Sequence, residues 1–129
     1  MFKTRVLAWL AMMVVAAAGA WAQDKPDREP IDVEVINGQI SVAEEEARTN
    51  RNQGGIVWRM VTPGYRFPSN GIVIDSSGKH RCAVVANGQR YRCAKLRHDA
   101  GERYKYIVNA VVESSGQSLT PLDPWIVND

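Results

Sequence analysis

Residues 80–96 read His80-Arg-Cys-Ala-Val-Val-Ala-Asn-Gly-Gln-Arg-Tyr-Arg-Cys-Ala-Lys-Leu96, and the fold prediction rests on this stretch. It contains both cysteines of the 129-residue chain, Cys82 and Cys93, with an Asn-Gly pair midway between them. Asn-Gly between two apolar or aromatic runs is a strong hairpin signal, because both residues tolerate positive φ. Folding the chain about this pair places Cys82 opposite Cys93, within reach of a disulfide. The stretch is therefore predicted to be a β-hairpin closed by a disulfide.

The expected disulfide also indicates the width of the turn. A two-residue turn would make Cys82 and Cys93 a hydrogen-bonded pair, whereas a four-residue loop over residues 86–89 would make them a non-hydrogen-bonded pair. Side chains approach more closely in the second arrangement, so the wider loop is favoured.

The same register sorts the hairpin side chains onto two faces. The inward face is predicted to carry Cys82, Val84, Tyr91 and Cys93. The outward face is predicted to carry Arg81, Arg90 and Arg92. Two interpretations of the arginines stay open at this point: an ordinary solvated face, or a surface that faces anions.

The first 22 residues are typical of a secretory signal peptide. Lys3 and Arg5 form a positive start, an apolar run follows, and Ala20-Trp21-Ala22 has the small-x-small pattern of a cleavage site. We therefore expect cleavage after Ala22, a periplasmic or secreted location, and no membrane span in the mature chain. An oxidising compartment favours one disulfide between the two cysteines.

The remainder of the chain predicts a short lead and one domain. Residues 23–30 are polar and bounded by proline, and are predicted to be a disordered lead. Residues 31–129 are long enough for one modest core, and short alternating segments between turn residues predict a single all-β, antiparallel sandwich domain. Trp58 is the largest candidate core anchor.

The predicted strands cover residues 31–36, 39–42, 56–61, 72–75, 103–113 and 125–127, and those at 72–75 and 103–113 are expected to be central. One or two helical turns are predicted over residues 42–48, because Ser41 followed by Glu44 resembles a capping box.

Charge is segregated along the chain, although the net charge is only +2. Residues 24–46 are mostly acidic and residues 51–105 are strongly basic. Such segregation can steer an anionic partner, and it can equally be balanced by internal pairing of an acidic strand with a basic strand.

Five arginines are the candidate binding residues, and all of them except Arg81 are interleaved with aromatic residues in the sequence. They are Arg59, Arg66, Arg81, Arg90 and Arg92. Guanidinium and aromatic groups together suit anionic polymers or carboxylates. After export the available anions would be envelope glycans, lipid headgroups or acidic proteins, and not intracellular nucleic acid. The alternative is that Tyr91 and Tyr104 belong to the core and the arginines only solubilise the surface.

The sequence offers one candidate set of metal ligands and no catalytic motif. His80, Cys82, Cys93 and His98 form a set that can ligate zinc, but in an oxidising compartment the cysteines are expected to oxidise first. The sequence has no Gly-x-Ser-x-Gly motif, phosphate loop or dinucleotide fingerprint. Adjacent residues such as His98 and Asp99 rarely orient each other for catalysis. A protein without enzymatic activity or a cofactor is therefore predicted.

The order of several sequence segments resembles small secreted bacterial proteins of cupredoxin-like β-sandwich type, whose function is largely unassigned. The segments are Gln39-Ile-Ser-Val42, Gly55-Ile-Val-Trp-Arg-Met60, Tyr65-Arg-Phe-Pro-Ser-Asn-Gly-Ile-Val-Ile74, Tyr104-Lys-Tyr-Ile-Val108 and Leu122-Asp-Pro-Trp-Ile-Val-Asn128. The resemblance implies a cupredoxin-like or immunoglobulin-like sandwich. It does not imply copper binding, because the loop that carries the last copper ligands of true cupredoxins is missing.

The sequence thus predicts an exported, non-enzymatic binding or accessory protein of the cell envelope with a basic face. One alternative is a zinc- or copper-binding periplasmic protein that uses His80, Cys82, Cys93 and His98. A second alternative is an inhibitor or immunity-type protein for an envelope enzyme, which would need a protruding, arginine-rich hairpin.

Overall fold

The structure is a computed structural model that describes residues 25–74, 80–96, 99 and 101–129. The predicted signal peptide and His98 lie outside these residues. The described residues form the strands β1 (Ile31–Ile36), β2 (Gln39–Val42), β3 (Glu46–Thr49), β4 (Gly55–Met60), β5 (Tyr65–Arg66), β6 (Ile72–Ile74), β7 (Arg81–Val85), β8 (Arg90–Ala94), β9 (Arg103–Val108), β10 (Val111–Val112) and β11 (Trp125–Asn128). None of these residues belongs to a helix long and apolar enough to cross a membrane.

The strands form two main sheets and a short ribbon. The five-stranded sheet has the order β2-β1-β4-β8-β7, the four-stranded sheet has the order β3-β11-β9-β6, and β5 pairs with β10. The all-β prediction is confirmed. The expected purely antiparallel arrangement needs correction, because β1 pairs with β4 and β3 pairs with β11 in parallel. Neither pair is joined by a tight turn, and only a tight turn forces neighbouring strands to run antiparallel.

The two main sheets pack on one core. Alternation along β1 and β4 buries one side of each strand, as predicted, and Trp58 on β4 is fully buried. Its ring centroid lies 5.1 Å from that of Tyr106 on β9, and its Nε1 donates a 3.1 Å hydrogen bond to the Tyr106 hydroxyl. This contact joins the two sheets, so the packing is sandwich-like.

The helical turns predicted over residues 42–48 are wrong. Residues 46–49 form β3, whose Ala47 and Thr49 are buried on one side. β3 pairs with β11 along its whole length. This long-range pairing satisfies the backbone of β3, and it overrides the weak local preference that the capping box indicated.

Two strands differ from the prediction in position or length. β6 lies at an edge of the four-stranded sheet and is not central. The predicted strand over residues 103–113 is divided into β9 and β10. At the break, the Asn109 backbone N–H donates to the Gly71 carbonyl over 2.8 Å, and the Asn109 side chain donates to the Asn70 carbonyl over 2.7 Å. The chain therefore turns away from the sheet at Asn109.

The described part of the N-terminal lead contacts both main sheets, and the disorder of residues 23–30 stays a prediction. Residues 25–30 have no regular secondary structure. The Pro26 carbonyl accepts a 2.8 Å hydrogen bond from the Gly54 N–H. The Arg28 guanidinium binds the Glu44 carboxylate and donates to the Arg48 carbonyl over 3.0 Å. The segment makes these backbone and charged contacts without forming a strand.

Candidate anion-binding face

The hairpin formed by β7 and β8 positions most of the candidate arginines. Its register pairs Cys82 with Cys93 and Val85 with Arg90, which leaves residues 86–89 as the loop. A disulfide joins Cys82 to Cys93, whose Cα atoms lie 4.0 Å apart. This close spacing is typical of a non-hydrogen-bonded pair. The disulfide-closed hairpin and its four-residue loop are therefore confirmed.

The tip of the hairpin is packed against the body of the protein. Gly88 has a φ of +89° and is buried, and its carbonyl accepts a 2.8 Å hydrogen bond from the Phe67 N–H. A Cβ atom placed on Gly88 would lie 2.9 Å from the Cβ of Arg66, so only glycine fits there. Arg66 therefore lies beside the loop and not on the five-stranded sheet, and the hairpin tip does not protrude.

The inward side of the hairpin is only partly buried. Tyr91 and Cys93 on β8 are buried as predicted, and burial raises the pKa of the Tyr91 hydroxyl. Val84 is 38 % exposed, because β7 is an edge strand with a neighbour on one side only. Tyr104 on β9 is also buried, so Tyr91 and Tyr104 belong to the core and do not interleave with the arginines on the surface.

The outward side of the five-stranded sheet brings four candidate arginines together. The register places Arg90 on β8 directly between Val85 on β7 and Arg59 on β4, and places Asp32 on β1 beyond Arg59. Two like charges directly opposite each other on neighbouring strands are unfavourable. We call this surface the arginine face, and it comprises Arg59, Arg81, Arg90 and Arg92.

Two of these arginines are balanced by carboxylates from the acidic part of the chain. Arg59 pairs with Asp32, with 2.6 Å between Nη2 and Oδ1. Arg92 binds both carboxylate oxygens of Asp27 over 2.8 Å each. The hydrogen bonds from Arg92 lower the pKa of the Asp27 carboxyl. The internal pairing of acidic and basic segments therefore accounts for Arg59 and Arg92.

Arg81 and Arg90 are different. Both are exposed, and within the described ranges neither has an ion-pair or hydrogen-bond partner for its guanidinium. Arg90 also lies between the paired arginines Arg59 and Arg92, opposite one and two residues from the other. Counting the described residues alone, the arginine face therefore has an unbalanced positive charge at its centre and another at its edge.

The alternative metal set is not assembled. The disulfide uses both cysteine sulfurs, so neither is a thiolate that can bind zinc or copper. His80 is half-buried, and His98 lies outside the residues that can be described. Over the described part of the chain, no group of three or more His, Cys, Asp or Glu side chains is placed to hold a metal ion.

The four-stranded sheet carries a second charged surface, which was not predicted from the sequence. Arg103 and Lys105 on β9 lie 4.4 Å and 4.8 Å from the ring centroid of Trp125 on β11. Arg103 also pairs with Glu46 over 2.9 Å, and Lys105 pairs with Asp123 over 3.2 Å. The alternating cations of β9 were visible in the sequence, but their aromatic and acidic partners come from distant strands. Both cations of this cluster have acidic partners, whereas Arg81 and Arg90 of the arginine face have none among the described residues.

Among known proteins, no family model and no curated sequence matches this chain. The cupredoxin-like resemblance stays a prediction.

Proposed function

We propose that this chain is an exported, non-enzymatic binding protein of the cell envelope, and that its arginine face contacts an anionic partner. The observation that supports this proposal is the position of Arg90. Its guanidinium is exposed, lies opposite Arg59, and has no carboxylate partner among the described residues.

The chemistry of the face suits carboxylates and phosphates. A guanidinium is planar and binds either group through two parallel hydrogen bonds. Arg90 and Arg92 are two residues apart on one strand, which places their Cα atoms roughly 7 Å apart. Arg59 lies opposite Arg90 on the neighbouring strand, with about 5 Å between the strands. An open sheet face with charges at this spacing suits an extended partner with several anionic groups better than one small ion.

The two alternative functions gain no specific support. The metal-binding alternative needs thiolates from Cys82 and Cys93, which the disulfide removes. The inhibitor alternative needs a protruding hairpin, whereas the loop at Gly88 packs against Arg66 and Phe67. The binding proposal is therefore the one that the geometry favours.

The test measures binding to polygalacturonate, a carboxylated polymer, with Arg90→Ser and a matched control. Arg48→Ser removes the same charge from the opposite sheet, where Arg48 pairs with Asp129 over 2.7 Å. We expect Arg90→Ser to weaken binding about three- to tenfold at low salt, which corresponds to about 1 kcal/mol. Arg48→Ser should change the affinity less than twofold, and added salt should weaken binding of the wild-type protein.

Equal losses for the two variants would mean that net charge alone decides binding, and the arginine face would then have no specific role. Unchanged binding by Arg90→Ser would contradict the proposal directly.

A further inference from the structure

The arginine face ends at an open strand edge. β7 is the last strand of the five-stranded sheet, and in the described part of the chain it pairs only with β8. A strand at an edge leaves a row of backbone N–H and C=O groups unpaired, which is a template for another strand.

The hairpin register shows which residues of β7 present these groups. Cys82 faces Cys93 in a closely spaced pair, with 4.0 Å between their Cα atoms. In a non-hydrogen-bonded pair the N–H and C=O groups point away from the neighbouring strand. The backbones of Cys82 and, two residues later, Val84 therefore point to the open edge.

β7 is less protected than either edge strand of the four-stranded sheet. Proteins block edges with proline, bulges, charged side chains or very short strands. β3 carries Glu46 and Arg48, and β6 has only three residues. β7 has five residues, a continuous register with β8, no proline, and a charged side chain only at Arg81. The disulfide holds it in place, and Val84 and Val85 are 38 % and 41 % exposed.

We propose that β7 accepts an extended segment of a partner protein as a sixth strand, and that this segment alternates acidic with apolar residues. This inference rests on the proposed function and names its partner. Outward side chains of the added strand would lie beside Arg81 and Val85, with Arg90 one strand further in. Inward side chains would lie beside Val84 and cover its exposed surface.

Charge argues for an acidic partner and against a second copy of this chain. If β7 paired with β7 of another copy about Ala83, Arg81 of each copy would lie beside Val85 of the other. The strands β7 and β8 contain no acidic residue, so the pairing would only bring a second set of arginines to the same face. Carboxylates on the added strand would instead balance Arg81 and Arg90.

The probe is a capped, fluorescently labelled peptide of seven alternating valine and glutamate residues, and its binding to the disulfide-bonded protein is followed by fluorescence anisotropy. Val84→Pro removes an edge-facing N–H without removing a hydrogen bond to β8, and proline is tolerated on edge strands. Val84→Thr is the matched control, because it keeps the N–H. We expect Val84→Pro to weaken peptide binding at least tenfold and Val84→Thr less than twofold.

Hydrogen exchange gives a second readout that needs no variant. The Cys82 and Val84 amides should become protected when the peptide binds to the wild-type protein. A valine–lysine peptide of the same pattern should bind at least tenfold more weakly than the valine–glutamate peptide.

The outcomes separate this inference from the proposed function. The strand-addition inference is wrong if the peptide binds Val84→Pro and Val84→Thr equally well and does not protect these amides. The proposed function still stands in that case, provided that polygalacturonate binding depends on Arg90. If the lysine peptide binds as well as the glutamate peptide, the acidic partner is wrong. If Arg90→Ser binds polygalacturonate as tightly as the wild-type protein does, the proposed function is wrong, whatever the peptide result.

Discussion

At the scale of single residues, Tyr106 joins the two sheets through one hydroxyl group. Its ring is fully buried against Trp58, and its oxygen accepts the hydrogen bond of the Trp58 indole. Burial raises the pKa of Tyr106 to about 12. The folded protein therefore favours the protonated hydroxyl.

The raised pKa predicts an alkaline loss of stability. The unfolded chain releases the tyrosine proton near pH 10, whereas folded Tyr106 keeps it to about pH 12. The stabilising contribution is thus complete below pH 10 and is lost as the pH rises to about 12. We expect Tyr106→Phe to lower the free energy of unfolding by about 1–3 kcal/mol at pH 8, because the indole N–H loses its acceptor. The same variant should lose less stability than the wild-type protein as the pH rises above 10.

Urea unfolding between pH 8 and pH 12 measures both effects. Tyr65→Phe, at a half-buried tyrosine on β5, is the control and should retain the alkaline loss of the wild-type protein. The interpretation of Tyr106 would fail if Tyr106→Phe lost stability above pH 10 as steeply as Tyr65→Phe.

The residue patterns of the sequence predicted which side chains are buried better than they predicted which residues contact each other. Alternation correctly placed Trp58 and Val33 on the inside, because side chains alternate between the two sides of a strand. The contact between Trp58 and Tyr106 spans 48 residues, and no local pattern carries that information. For the same reason, the charges of Arg59 and Arg92 could not be assigned to Asp32 and Asp27 from the sequence.

At the scale of elements, the hairpin could be predicted because its contacts are local. Cys82 and Cys93 are 11 residues apart, and one turn fixes the register between them. β3 could not be predicted in the same way. Its only strand partner in the described chain is β11, at the far end of the sequence, and the local residues around Ser41 favoured a helix instead.

The disulfide predicts a clear loss of stability on its removal. We expect Cys82→Ala combined with Cys93→Ala to lower the free energy of unfolding by about 2–4 kcal/mol, because the unfolded chain gains freedom when the loop is opened. Urea unfolding of the double variant, compared with the reduced and oxidised wild-type protein, measures the loss. A change in the free energy of unfolding below about 0.5 kcal/mol would show that the disulfide does not stabilise the fold.

At the scale of the whole molecule, the segment over residues 25–30 links regions that belong to different sheets. Arg28 binds Glu44 and the Arg48 carbonyl beside the four-stranded sheet, and Asp27 binds Arg92 on the five-stranded sheet. The sequence did not predict these contacts, because a hydrophilic residue gives no local sign of a distant charged partner.

The link through Asp27 predicts an acid dependence. Its pKa is lowered by Arg92, so the carboxylate stabilises the fold above the ordinary aspartate pKa of about 3.9 and loses this effect as the pH falls through the lower, folded value. Because Arg92 is half-exposed, we expect Asp27→Asn to cost less than about 1 kcal/mol at pH 7.

Thermal unfolding from pH 2 to pH 7 measures this contribution. The gap between wild type and Asp27→Asn should close as the pH falls below 4. Glu34→Gln, an exposed carboxylate on β1, is the control for a general loss of negative charge. A gap of constant size down to pH 2 would show that the Asp27 carboxylate does not act through its ionised form.

The sequence predicted the all-β class of the protein, but not the order and direction of its strands. Short alternating segments between turn residues predicted an all-β chain correctly. The parallel pairs between β1 and β4 and between β3 and β11 depend on which strands meet in space, which alternation does not encode.

The position of β11 in the four-stranded sheet determines when that sheet can form. β11 lies between β3 and β9, although it is the last strand along the chain. During synthesis, residues 46–49 must wait for residues 125–128 before they gain a strand neighbour. Contacts between such distant segments slow folding, whereas the local β7–β8 hairpin can form early. We therefore expect the β7–β8 hairpin to form before the β3–β11 pair.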